Sequence, residues 1–170
     1  MSDITIIELS ADRLERLRPL WEGMRELYVE LCGDRLPIRA ADESWLRRRD
    51  AYERLLAEPG AFAVGAERDG ELVGYATVRV VESSTVFAWS DRAGELETLV
   101  VAPHVRSAGV GAGLVAALRE RLAGAGVREV VVHVLAGNDR AIDFYRREGF
   151  DTYQIMMSDT IPAPLERGPR

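Results

Sequence analysis

The sequence predicts an α/β (α+β layered) fold, in which helices pack on a mixed β-sheet. Three observations support this class. Segments with apolar side chains at three- and four-residue spacing alternate along the chain with short β-branched runs. Asp69-Gly70 separates two strand-like runs and is typical of a tight hairpin turn. A chain of 170 residues, 47 % of them hydrophobic, is long enough to bury one sizeable core.

The predicted elements follow the order β-α-α-β-β-β-α-β-α-β, with glycine or proline at most helix ends. The predicted strands are 4–9, 61–67, 71–81, 95–101, 129–135 and 150–157. The predicted helices run from Ser10 or Asp12 to Cys32, from about residue 42 to the Pro59-Gly60 break, over 112–123, and from an Asn138 cap to about Arg147. The valines of 129–135 favour burial of that strand on both faces. We expect residues 1–158 to form one domain and residues 159–170 a flexible tail.

The charge and composition of the chain indicate which kinds of molecule it can bind. The net charge of −6 argues against nucleic-acid binding and favours a cationic or amine partner. One cysteine and two widely separated histidines provide neither a disulfide nor metal-ligand spacing. The N-terminus lacks secretory features and no long uncharged apolar stretch occurs, so we expect a cytoplasmic protein without membrane contact. We interpret the arginine run 47–49 as a solvated helix face.

A glycine-punctuated turn, residues 106–111 with the sequence RSAGVG, separates a strand-like run from a helical run. Backbone N–H groups at such a helix N-terminus can hold a phosphate, although tight-turn glycines alone are the alternative explanation. The dinucleotide fingerprint is excluded because Leu114 or Ala116 stands where its third glycine is required. A P-loop is excluded because it requires lysine, and all 22 basic residues are arginine.

A second segment, residues 138–150 with the sequence NDRAIDFYRREGF, is an amphipathic helix by pattern. Together the two segments resemble the GNAT superfamily of CoA-dependent N-acyltransferases. The first is similar to the family's Arg/Gln-x-x-Gly-x-Gly/Ala signature, and the second to its Asn-x-x-Ala-x-x-Phe-Tyr-x-x-x-Gly-Phe segment. The resemblance covers roughly residues 60–157 by motif, whereas residues 1–59 match only in element order. Ser107 departs from the frequent glycine but keeps its backbone N–H.

The resemblance implies a sheet of about six to seven strands, about four helices, and acetyl-CoA as co-substrate without a metal. Pantetheine would pair with the fourth strand where the fourth and fifth strands splay apart. The pyrophosphate would lie over the glycine turn, where Gly109 and Gly111 would let phosphates approach. The implied cofactor-binding residues are Leu99, Val100, Val101, Arg106, Ser107, Ala108, Gly109, Val110, Gly111, Ala112, Asn138 and Tyr145.

The chemistry implied is attack of an amine on a thioester. Tyr145 matches the family's proposed general acid, and a buried core aromatic is the alternative role. Backbone N–H groups near Leu99 or Val100 are oxyanion-hole candidates. Glu97 is the first candidate base, and Glu95, His133 or water alone are alternatives. By period two, Glu95, Glu97, Leu99 and Val101 share one face of the strand.

The predicted function is transfer of an acetyl group from acetyl-CoA to a primary amine of a small molecule by direct attack in a ternary complex. Aromatic side chains with carboxylates favour an organic cation as acceptor, and Phe87, Trp89 and Glu95 are the candidate substrate residues. A protein N-terminal or lysine acetyltransferase is one alternative. A non-catalytic acyl-CoA sensor is another. Homodimers are common in the family, so a homodimer is an assembly that the resemblance allows.

Overall fold

The structure, a computed structural model, describes residues 4–32, 36–86, 90–106 and 108–158. Its core element is a five-stranded sheet of order β1-β2-β3-β4-β5. The strands are β1 Thr5–Leu9, β2 Phe62–Arg68, β3 Glu71–Glu82, β4 Arg92–Val101 and β5 Glu129–Val132. The helices are α1 Arg18–Cys32, α2 Ala41–Leu56, α3 Val110–Gly124 and α4 Asp139–Arg147. Strands β1 to β4 pair antiparallel and β5 pairs parallel with β4, which confirms the mixed α/β class.

The β2–β3 hairpin forms where the sequence predicted it. Asp69 has φ 54° and Gly70 has φ 79°, the left-handed conformations that a two-residue hairpin turn requires. The hairpin turn that the sequence predicts at Asp69-Gly70 is therefore confirmed.

The first predicted helix is divided into two parts. Residues Ala11–Leu17 form a 3₁₀-helix, and α1 begins only at Arg18. Pro19 explains the division, because it has no N–H to donate to the preceding turn and is tolerated only at the start of an α-helix. α1 then carries Trp21 into the core and presents Tyr28 at the surface.

Two predictions about the C-terminal part of the sheet are wrong. The strand expected over 150–157 is not formed: Phe150 packs on the core, and after it Ile155 and Met157 are 82 % and 90 % exposed. An extended segment becomes a strand only when a neighbour pairs with its backbone. Strand β5 is half-buried along its length rather than buried on both faces, because it is the last strand of the described sheet.

The β3–β4 ladder contains a β-bulge at Glu97. Thr77 pairs with Thr98, but the next residue of β3, Val78, pairs with Leu96, so Glu97 has no partner in the register. Bulges of this kind interrupt the alternation of side chains and are frequent beside active sites.

The bulge overturns the expectation that four residues of β4 share one face. Glu95 and Thr98 both lie on the side of α2, where the Tyr52 hydroxyl donates to Thr98 Oγ1 at 2.7 Å. Leu99 and Val101 lie on the opposite side, facing α3. The extra residue shifts the period of two by one position, so each half of the strand presents its odd-numbered residues to a different face.

Strands β4 and β5 separate partway along their length. Their parallel pairing runs only from Ala93–Glu129 to Leu96–Val132, whereas β4 continues to Val101. Beyond Leu96, no described strand covers the β5-side edge of β4. The separation that the resemblance implied is therefore confirmed, and it leaves backbone groups of β4 open to another molecule.

No helix within the described ranges has the length and apolar character needed to cross a lipid bilayer.

Candidate active site

The glycine turn leads into α3, whose first backbone N–H groups have no hydrogen-bond acceptor among the described residues. Gly109 caps α3 with φ 79° and ψ 0°, and no side chain caps the helix in its place. The N–H of Gly113 makes the first helical bond, to the Gly109 carbonyl at 2.9 Å. The preceding N–H groups, of Val110, Gly111 and Ala112, therefore have no acceptor within the helix. Such a terminus attracts an anion.

The two glycines of the turn are required for different reasons. An added Cβ at Gly109 meets nothing within 4 Å, so only its positive φ calls for glycine. An added Cβ at Gly111 meets the Phe144 ring of α4 at 3.1 Å. Gly111 therefore lets α4 pack against α3, and its role in the approach of phosphates stays a prediction.

Arg106 and Arg140 place two positive charges beside this terminus. The Nε of Arg106 donates to the carbonyl of Val101, at the open end of β4, at 3.2 Å. Partial burial, and then the like charge of Arg140, hold the pKa of Arg106 below its ordinary value. Within the described part of the chain neither arginine pairs with a carboxylate. Two uncompensated guanidinium groups beside free N–H groups suit a phosphate or pyrophosphate.

Arg140 was not singled out from the sequence, although a signal was present. The first turn of a helix favours acidic residues, so an arginine there is unusual. The neighbouring Asn138, predicted as the cap, is confirmed in that role: its side chain accepts from the N–H of Ala141 at 3.1 Å.

Tyr145 lies on the buried face of α4. Its ring packs edge-on against Phe144 and Phe150, with centroid distances of 5.1 and 5.3 Å. Its hydroxyl hydrogen-bonds to none of the described residues. Burial, and to a smaller degree the neighbouring Tyr28, raise the pKa of Tyr145 well above its ordinary value. The group is a protonated phenol with a free O–H, the form that a proton donor requires.

Glu97 projects from the bulge toward α2 and pairs with Arg48 at 2.8 Å. The Arg48 guanidinium also lies over the Trp21 ring, 4.4 Å from its centroid. The interpretation of the 47–49 run as a solvated face therefore holds for Arg47, which is 63 % exposed, and is wrong for Arg48. Sequence alone missed this because three consecutive arginines point in three directions around a helix.

Glu95, the second candidate base, is held from both sides. Its carboxylate accepts from Arg79 Nε at 2.8 Å and lies 3.3 Å from His133 Nε2. The carboxylate side chain is only 14 % exposed, whereas that of His133 is 62 % exposed. His133 follows β5 at the point where β5 parts from β4.

Three buried hydroxyl groups, those of Tyr52, Tyr75 and Thr98, form a hydrogen-bonded cluster next to the bulge. Tyr52 of α2 donates to Thr98, and its oxygen lies 3.1 Å from the Tyr75 hydroxyl. Burial raises the pKa values of both tyrosines, so both stay neutral. The cluster fixes α2 on the sheet next to Glu97.

A cavity of about 250 Å³, the α1–α2 cavity, opens next to these groups. Its lining residues are Trp21, Arg25, Tyr28, Pro37, Ile38, Arg39, Ser44 and Arg48. None of them is a carboxylate. Glu95, the carboxylate expected to receive an organic cation, is instead paired with Arg79, and Glu22 and Glu97 are paired with Arg18 and Arg48. The expected substrate residues Phe87 and Trp89 lie outside the described residues, as does Ser107 of the turn.

Among the histidines, cysteines and acidic residues that the structure describes, no group of three or more is arranged to hold a metal ion.

Comparisons with known proteins identify the family of the chain. A profile described as the Acetyltransferase (GNAT) family matches residues 21–150. Mycothiol acetyltransferase of Streptomyces bingchenggensis is 32 % identical over 116 residues, which is 66 % of this chain and 35 % of that protein. N-alpha-acetyltransferase RimI of Mycobacterium tuberculosis is 36 % identical over 100 residues, 59 % of this chain and 58 % of that protein. The chain thus spans about a third of the length of the curated mycothiol acetyltransferase.

Solved structures share the fold. Aminoglycoside N-acetyltransferase AAC(6')-Iy, in complex with CoA, superposes with a TM-score of 0.70 at 20 % identity, covering 94 % of this chain and 96 % of that one. A GCN5-related N-acetyltransferase from Ralstonia eutropha JMP134 gives a TM-score of 0.75 at 21 % identity, covering 93 % and 99 %. At these identities the likeness concerns the fold.

Proposed function

The chain belongs to the acetyltransferase (GNAT) family, and from this premise we propose that it transfers an acetyl group from acetyl-CoA to a primary amine of a small molecule. One observation carries the proposal. The unsatisfied N-terminus of α3, the unpaired charges of Arg106 and Arg140, and the open edge of β4 adjoin one another. Together they offer one continuous set of donors for an extended, phosphate-bearing molecule.

In this proposal the pyrophosphate lies over residues 108–112 and the pantetheine arm follows the open edge of β4 near Leu99 and Val101. Arg106 is placed to serve both parts, because its guanidinium already contacts the Val101 carbonyl. Arg140 is added to the cofactor-binding residues by its position beside Arg106. Leu99 and Val100 keep their proposed role as the source of oxyanion donors.

Two residues of the chain carry out the two proton transfers, Tyr145 as the acid and Glu97 as the base. The amine nitrogen forms the new bond to the acetyl carbonyl carbon, and the carbon–sulfur bond breaks. Tyr145 gives its proton to the departing thiolate, and burial, which raises the pKa of the phenol, keeps that proton on the oxygen until the thiolate forms. Glu97, directly or through water, takes the proton lost by the amine. Its partner Arg48 holds that carboxylate beside the α1–α2 cavity, where the acceptor would lie.

The names of the relatives support an N-acetyltransferase without fixing the acceptor. They include mycothiol and aminoglycoside acetyltransferases, which favours a small molecule, and an N-alpha-acetyltransferase, which keeps a protein N-terminus as the second candidate. The α1–α2 cavity, with a volume of about 250 Å³, has room for a small acceptor. The single domain over 1–158, the tail, the homodimer and the cytoplasmic location stay predictions.

Binding of acetyl-CoA should raise the melting temperature by about 5–10 °C when the ligand is 100-fold above its dissociation constant. Thiol release should then follow with amines from a panel that includes small-molecule amines and a peptide with a free N-terminus. Differential scanning fluorimetry and a thiol assay measure the two steps. A melting shift without thiol release for any amine would leave the acyl-CoA sensor, and no shift at millimolar ligand would contradict the donor site.

Replacing Glu97 by glutamine should lower kcat by about 100-fold, because a general base contributes roughly 10²–10⁴-fold. The dissociation constant for acetyl-CoA should stay within about twofold of wild type. Glu53→Gln is the matched control, since it removes an exposed carboxylate from α2 and should leave kcat unchanged. A fall in kcat of less than about threefold for Glu97→Gln would exclude Glu97 as the base and leave Glu95, His133 or water alone.

A further inference from the structure

We infer that the acceptor amine carries a carboxylate, which Arg25 and Arg48 receive in the α1–α2 cavity. The inference rests on the proposed acetyl transfer and names the substrate class for it. It departs from the organic cation that the sequence favoured.

The polar side chains of the cavity wall are almost entirely donors. The guanidinium groups of Arg25, Arg39 and Arg48 donate and cannot accept. The indole N–H of Trp21 is buried and meets no acceptor among the described residues. Among the side chains of the wall, only the hydroxyls of Tyr28 and Ser44 can accept a hydrogen bond. A ligand that supplies acceptors therefore suits these side chains.

The charges in the wall leave Arg25 uncompensated. Arg48 and Arg39 are each paired with a glutamate, at 2.8 and 2.7 Å. Arg25 pairs with no carboxylate in the described part of the chain. Its Nε and Nη2 both donate to the carbonyl of Arg39, at 3.0 and 2.5 Å. Because a guanidinium has five N–H groups, about three of those of Arg25 remain for a ligand.

Arg48 is suited to the same ligand. Its guanidinium carbon lies 4.4 Å from the centroid of the Trp21 ring, and the group donates to Glu97 through Nη1 alone. The remaining N–H groups of Arg48 have no acceptor among the described residues, and a guanidinium is the group that recognises planar carboxylates.

The cavity connects directly to the proposed chemistry. Tyr28 lies in the cavity wall and is also the neighbour that affects Tyr145. Arg25 lies three residues before Tyr28 on α1, which is about one helical turn or roughly 5 Å along the axis. The inference therefore places the carboxylate of the acceptor near Arg25 and its amine on the Tyr28 side of the cavity, toward Tyr145. A volume of about 250 Å³ is large enough for an amino acid.

A purely structural role for Arg25 is the competing explanation. By bonding the Arg39 carbonyl, Arg25 closes the segment 36–40 against α1. Such a clamp would affect all acceptors alike. Selectivity between an acid and its neutral isostere is therefore the decisive measurement.

The experiment compares kcat/KM for short α- and ω-amino acids with kcat/KM for their carboxamides, using thiol release from acetyl-CoA. We expect wild type to prefer the acid by about 10–100-fold, the range for hydrogen bonds to charged groups. Arg25→Gln should reduce this preference to within about twofold, mainly through KM of the acid. Arg25→Lys, which keeps the charge, should retain part of it. Arg47→Gln, which removes a nearby exposed charge outside the cavity, should keep the wild-type ratio.

Each result bears on the inference. Thiol release without preference for the acid, or preference for an aminoglycoside, overturns the inference and leaves the acetyl transfer standing. Preference for an amine that bears a phosphate overturns the carboxylate. If no amine releases thiol, the proposed function fails, and the melting temperature then tests carboxylate binding in the cavity by itself. A larger rise in melting temperature with the acid than with the carboxamide, lost in Arg25→Gln but kept in Arg47→Gln, supports the carboxylate site, and equal rises overturn it. The ratio of kcat/KM for acid and carboxamide is independent of any general loss of folded protein.

Discussion

Substitution of Tyr145 by phenylalanine should lower kcat by about 100-fold or more while the dissociation constant for acetyl-CoA changes by less than about twofold. The reason is the state of the phenol. Its pKa is raised by burial, its O–H has no partner among the described residues, and the ring is held by two aromatic neighbours that phenylalanine also satisfies. The substitution therefore removes the proton and little else. Steady-state kinetics with acetyl-CoA melting shifts measure both quantities.

Two comparisons separate an acid from a packing role for Tyr145. An acetyl thioester with a more acidic thiol needs less protonation on departure, so Tyr145→Phe should slow it far less than acetyl-CoA. Tyr153→Phe, at a residue that is 54 % exposed, is the matched control and should keep wild-type kcat. Equal slowing with both thioesters would contradict the assignment of Tyr145 as the acid.

Substitution of Gly109 by valine should weaken acetyl-CoA binding by at least about tenfold, the effect of losing roughly one charge-assisted hydrogen bond. Valine fits the space, since an added Cβ meets nothing within 4 Å, but not the φ of 79°. The backbone has to change conformation, and the N–H groups of 110–112 then no longer converge. Holding valine in the native conformation would cost about 1–3 kcal/mol.

Gly126→Val supplies the matched control for this experiment. Gly126 follows the other end of α3 with φ 76° and equally open surroundings, so its substitution brings the same backbone strain far from the turn. The two variants should lose similar stability, measured by urea unfolding, but only Gly109→Val should lose affinity. Equal loss of affinity in both would mean that the effect comes from stability and that the turn holds no phosphate.

Features set by neighbouring residues in the chain could be predicted from the sequence. The Asp69-Gly70 turn and the Asn138 cap depend on backbone conformations and hydrogen bonds within three residues. The family signature belongs to the same category, because the turn and the first helical residues are contiguous. The residues of a contiguous segment determine its backbone conformation locally, so the helix N-terminus at Gly109 lies where the sequence predicts it.

Features set by residues distant in the chain could not be predicted in this way. The bulge at Glu97 exists only through the register with β3, and it reversed the face of half a strand. The inward position of Arg48 depends on Trp21 and Glu97, from two other elements. The missing last strand shows the same dependence, because its own pattern was favourable and a pairing partner was not available.

The bulge at Glu97 also determines how this enzyme candidate can be engineered. Because of that single extra residue, β4 presents Glu95, Glu97 and Thr98 to α2 and the acceptor, and Leu99 and Val101 to α3. Deleting Glu97 would restore a regular ladder without turning its neighbours, because Leu96 and Thr98 already pair with the adjacent residues Val78 and Thr77. Glu95 and Thr98 would still face α2, and Leu99 and Val101 would still face α3. The bulge therefore adds one carboxylate to the α2 face of β4, and that carboxylate can be removed by substitution or by deletion while the packing against α3 is kept.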